Sequence, residues 1–83
     1  MSQEVEKFDL GELAPGSFPI IVVYYKPKDQ KARYIARLWD AKRPTNLIMT
    51  SETLEELRKR KPKEMMIMER HPEDDPVIVE TWI

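Results

Sequence analysis

Residues 69–75 read ERHPEDD and place His71 among Glu69, Glu73, Asp74 and Asp75. An imidazole beside carboxylates can ligate a divalent metal or serve as a general acid and base. The spacing matches no defined ligand motif. With Pro72 and Pro76 flanking three acids, the plainer reading is a solvated turn. The sharpest charged feature is RKRKPK, Arg58 to Lys63. As a nucleic-acid contact, Arg58, Lys59, Arg60, Lys61 and Lys63 would neutralise several phosphates. Arg33, Arg37, Lys42 and Arg43 would extend them into a salt-sensitive stripe beside Tyr34 or Trp39. The competing reading is a solvated helix end whose cations complement the helix dipole. An isoelectric point of 5.8 lies far below that of a basic binding module and favours the helix end.

Other chemistry has less to work with. Cysteine is absent, which removes thiol nucleophiles and thiolate–zinc sites and agrees with a reducing compartment. Ser2, Ser17 and Ser51 have no base near them in sequence, so a hydrolytic triad would have to recruit His71. Gly11 and Gly16 are the two glycines, and no phosphate loop or dinucleotide fingerprint surrounds them. The expectation is a non-enzymatic protein with no catalytic residues, no metal and no cofactor.

These groups must be held by a chain of 83 residues. At that size folding buries only about 60–65% of the surface of the unfolded chain, and the stability margin is thin. The first residues are acidic and lack the basic start and apolar run of a signal peptide, and no stretch of about 18 apolar residues occurs. A soluble protein of the bacterial cytoplasm, without a membrane span, is expected. Charge is uneven: residues 1–25 carry one Lys against four acids, residues 26–63 twelve cations against five acids, and residues 64–83 one Arg against six acids. Either the basic middle meets an anionic partner, or the acidic ends fold back over it.

The pattern predicts an α+β fold in one small domain, ordered β-β-β-α-β-β, with a mainly antiparallel sheet and one short helix on one face. Residues 1–19 form an N-terminal arm, loose or docked, with Phe8, Leu10, Leu13 and Phe18 as its scattered apolar side chains. The domain proper covers residues 20–83. Ile20–Tyr25 is apolar at every position, as a central strand is. In the second strand Ala32, Tyr34, Ala36 and Leu38 form an apolar face, and Arg33, Ile35, Arg37 and Trp39 a mixed one. The segment DAKRPTN, broken by Pro44, predicts a loop before a short strand at Leu47–Met49. The helix starts at Thr53 with Glu56 as its capping-box partner and stops at Pro62. EMMIMER and PVIVETWI read as the last two strands.

One helix of eight to ten residues, about 12–15 Å long, cannot cover a sheet about 20–25 Å wide. In the last strand Val77, Val79 and Ile83 are expected on one side and Ile78 and Trp82 on the other. An exposed patch of that size is unusual for a monomer. The expectation is a two-fold homodimer or another protein partner, contacted through Ile78, Trp82, Trp39 and Ile35, unless the arm supplies the cover.

Two segments carry a family resemblance. YIARLWDAKRP, Tyr34 to Pro44, is similar to a strand followed by a Pro-Asp-x-Pro-Gly pattern, with Trp39 standing where the first proline would be. TLEEL, Thr53 to Leu57, is similar to a Thr-x-Glu-Glu helix start. Together residues 20–57 resemble the N-terminal module of HicB-like antitoxins, a partial RNase H fold of three strands and a helix. The resemblance implies toxin binding. No helix-turn-helix or ribbon-helix-helix segment follows, so it does not extend to operator binding.

Overall fold

The computed structural model describes residues 3–12, 16–25, 33–41, 43–73 and 75–83. Ser2, Leu13, Ala32, Lys42 and Asp74, named above, lie outside the described residues. Among the described residues six strands make one mixed sheet: β1 (Gln3–Glu4), β2 (Pro19–Tyr25), β3 (Tyr34–Asp40), β4 (Arg43–Ser51), β5 (Ile67–Glu69) and β6 (Ile78–Trp82). The order across the sheet is β1-β4-β3-β2-β6-β5. β1 runs parallel to β4, and every other neighbouring pair is antiparallel. One helix, α1 (Leu54–Lys59), leads from β4 towards β5, and a 3-10 turn spans Leu10–Glu12. The class is α+β, with one strand more than the alternation of the sequence predicts.

The extra strand belongs to the arm, whose described part is docked. Val5 donates its backbone N–H to Ile48 O at 2.8 Å, extending the short β1–β4 ladder. Phe8 is buried and Leu10 packs against the core. Of the described apolar side chains of the arm, Phe8 and Leu10 thus join the core while Phe18 is 60% exposed, and the helix is shorter than predicted at six residues. Its start is the predicted one: Thr53 Oγ1 accepts from the Glu56 backbone N–H at 3.2 Å, with Glu55 and Glu56 in the first turn.

Arg43 to Asn46, within the segment predicted as a loop, are strand instead. β4 begins at Arg43, which pairs with Asp40, and Ala41 lies in the turn between them. A two-residue hairpin of this kind needs positive φ, and Ala41 has φ 54°. That conformation costs a non-glycine residue roughly 1–2 kcal/mol. Contacts to the start of β2 hold it there. Ala41 N donates to Phe18 O at 2.7 Å, and the Asp40 carboxylate accepts from Phe18 N at 3.1 Å and Ser17 Oγ at 3.3 Å. Pro44, Thr45 and Asn46 fit because the β3–β4 register slips between Arg37 and Trp39. The side chain of Thr45 bridges the slip, donating to Leu38 O at 2.7 Å and accepting from Leu47 N at 3.2 Å.

Candidate interaction surface

Strand pairing assigns the side chains to two faces. Ile21, Val23, Ala36, Leu38, Met49 and Trp82 share one, and Phe8, Leu57 and Met65 lie over it to complete the core. The opposite face carries Ile20, Val22 and Tyr24 of β2, Ile35, Arg37 and Trp39 of β3, and Thr81 of β6. It has no helix on it among the described residues. Ile20, Val22, Tyr24, Trp39, Ala41 and Ile78 line an open, mainly apolar groove of about 410 Å³ there.

A register shift decides which end of β6 joins that groove. Val23 pairs with Glu80, but the next residue, Tyr24, pairs with Ile78, so Val79 is the additional residue of a bulge. Strict alternation would put Ile78 on the side of Glu80 and Trp82. The bulge turns Ile78 into the groove, while Val79 packs against the core. The open face then continues beyond β6. Met68 pairs with Thr81, which pairs with Val22, so Met68 shares the groove side. Met66 and Ile83, which exchange backbone hydrogen bonds of 2.6 and 2.9 Å, have the same parity. Met66 is 70% exposed, Met68 45% and Ile83 47%.

The four residues expected to meet a partner are therefore divided. Trp82 has no exposed surface and is a core residue of the single chain. It does not share a face with Ile78, contrary to the expectation from alternation. Ile35 lies on the groove side but is only 5% exposed. Trp39 and Ile78 line the groove. The Trp39 Nε1 hydrogen is shut from solvent and has no acceptor among the described residues, a situation that costs about 1–3 kcal/mol.

No family model, no curated protein and no solved structure matches the chain. The geometry alone assigns its surfaces.

The basic run is drawn into the fold. Arg58 grips Glu80 through two hydrogen bonds, Nη2 to Oε1 and Nε to Oε2, the latter at 3.2 Å. Trp82 Nε1 donates to the same Oε2 at 2.7 Å. Glu80 is only 3% exposed, whereas the Arg58 side chain is 44% exposed. Burial pushes the Glu80 carboxyl up, but the hydrogen bonds from Arg58 and Trp82 and the Arg58 charge outweigh it and hold the group below the ordinary glutamate range. Arg60 donates to Thr50 O at 2.7 Å and Glu6 O at 3.4 Å, and Lys61 Nζ reaches Pro62 O and Met65 O. Lys59 pairs with Glu56 at 3.4 Å. Lys63 is exposed. Arg37 turns to Thr45 O at 2.8 Å, and Arg33 lies 3.9 Å from Glu52 on an exposed rim. The cations are thus distributed over separate contacts, several of them to backbone carbonyls.

Sequence reading missed Glu80 as the anchor of Arg58. The signal was a lone acid in the apolar run VIVETWI, at the parity of Trp82. His71 is exposed, and its Nδ1 accepts from Glu73 N at 3.1 Å, a contact local to the turn. Among the described residues no group of three or more His, Cys, Asp or Glu side chains converges as a metal site would require. No helix there is long and apolar enough to cross a membrane.

Proposed function

We propose that this chain is a non-catalytic, cytoplasmic protein–protein interaction module that docks a protein partner on the open face of its sheet. The observation that carries the reading is the continuity of that face. Trp39, Ile20, Val22, Tyr24 and Ile78 line a groove, and Met66, Met68 and Ile83 extend it to the sheet edge. Exposed apolar area of this kind marks interaction sites, and methionines suit surfaces that adapt to a partner. Toxin binding of the antitoxin kind is the specific version implied by the resemblance of residues 20–57. The engagement of Arg58, Arg60 and Lys61 within the chain leaves fewer cations for a nucleic acid.

A photo-crosslinking amino acid at Val22, in the groove, tests the reading in the native host. It should give a discrete protein adduct, whereas the same group at Glu55, on the exposed helix, gives none. Equal labelling at both positions, or none at Val22, contradicts the proposal.

A further inference from the structure

We infer that Met66 and Met68 are a reversible oxidation site: peroxide turns their thioethers into sulfoxides and so removes the apolar strip that they add to the open face. This rests on the reading of that face as a docking surface and supplies its regulation.

The chain holds no cysteine, so its methionines are the sulfur groups that an oxidant meets. Those among the described residues fall into two classes. Met49 and Met65 belong to the core, at 0% and 4% exposure. Met66 and Met68 are exposed and flank Ile67 at the edge of the sheet. Met65 and Met66 are neighbours in the chain and opposite in burial. Met65 donates its backbone N–H to Pro62 O at 3.1 Å and packs inward, whereas the backbone of Met66 pairs with Ile83 and its side chain faces solvent. Because oxidation of sulfur follows exposure, the fold itself selects Met66 and Met68.

In the forward step a sulfur lone pair attacks one oxygen of hydrogen peroxide. An S–O bond forms, the O–O bond breaks, and the second oxygen leaves as water. Sulfur is oxidised and the peroxide is reduced. In the return step two thiols of a sulfoxide reductase become a disulfide, and the sulfoxide oxygen leaves as water. The product is a polar side chain with a strong acceptor. Buried under an apolar partner without a donor, that acceptor opposes docking. Left in water it is hydrated, and since neither side chain belongs to the core, the fold survives the change. The same oxygen on Met49 would disrupt packing.

Limited treatment of the purified chain with hydrogen peroxide tests the inference. Trypsin releases EMMIMER, Glu64 to Arg70, as one peptide whose fragment ions separate Met65, Met66 and Met68. Oxygen should appear on Met66 and Met68, while Met65 and Met49 stay unmodified until urea unfolds the chain. The oxidised chain should keep its urea transition, elute earlier from a phenyl column, and regain its retention after methionine sulfoxide reductases and dithiothreitol. Met66→Leu combined with Met68→Leu should hold its retention under peroxide, and Met66→Gln combined with Met68→Gln should elute early without it. Oxidation of Met65 or Met49 alongside Met66, loss of the urea transition, or equal retention before and after peroxide overturns the proposal. The crosslinker at Val22 separates this inference from the reading beneath it. An adduct that forms equally before and after peroxide means that the groove docks a partner and the methionines do not regulate it. No adduct in either state, with retention lost on oxidation, means that the oxidation site stands and the docking reading fails.

Discussion

The two faces of the sheet carry similar side chains and meet different fates. On one, Ile21, Val23, Leu38 and Trp82 are sealed under Leu57, Phe8 and Met65. On the other, Ile20, Val22, Tyr24 and Ile78 line an open groove. The difference lies in the amount of chain available as cover. Six strands span about 25 Å, while a six-residue helix is about 9 Å long. Helix and arm together suffice for one face. Apolar composition therefore says that a strand is central, and only the covering elements decide which of its sides is core.

Substitutions should separate the faces, most strongly at Trp82. Trp82→Ala removes the largest fully buried side chain and the donor to Glu80. It should cost about 3–5 kcal/mol, most of the stability of a small domain, read as loss of the urea transition. Phe8→Ala should cost about 3 kcal/mol by the same mechanism, which would establish the arm as part of the core. Val22→Ala, on the groove side, should cost less than about 1 kcal/mol. Equal costs at Trp82 and Val22 would erase the contrast.

Glu80 sharpens it further, since among the described residues only the covered face holds a buried acid. Its folded-state value is depressed, so its contribution is fully present above about pH 4.3, the unfolded glutamate value, and is lost as pH falls through the lower folded value. Glu80→Gln should cost about 1–3 kcal/mol at neutral pH and flatten that acid limb in thermal melts. The smallest effect is expected at Trp39. Trp39→Phe removes the donor that lacks an acceptor and should leave the melting temperature unchanged or slightly raised, where a well-bonded indole would show a loss.

Much of this organisation is legible in the residues. The uninterrupted apolar run of β2 and the alternation of Tyr34, Ala36 and Leu38 with Ile35, Arg37 and Trp39 state strand and face directly. Thr53 and Glu56 state the helix start. Local irregularities hide the rest. Pro44 reads as a breaker, yet Thr45 bridges a register slip that lets β4 run from Arg43. The bulge at Val79 reverses Ile78 relative to Trp82, and nothing in VIVETWI announces it. Phe8 and Leu10 carry no periodicity, so their place in the core depends on long-range packing. The partner of Arg58 lies 22 residues away at Glu80, beyond any helical spacing.

The most direct test of the asymmetry is the attenuation of side-chain methyl NMR signals by a soluble paramagnetic agent on the purified chain. The methyls of Ile20, Val22, Ile78, Met66 and Met68 should broaden strongly while those of Ile21, Val23, Leu38 and Leu57 stay sharp. Equal protection of both sets would mean that the chain shields both sides of its own sheet, and the open face would not exist.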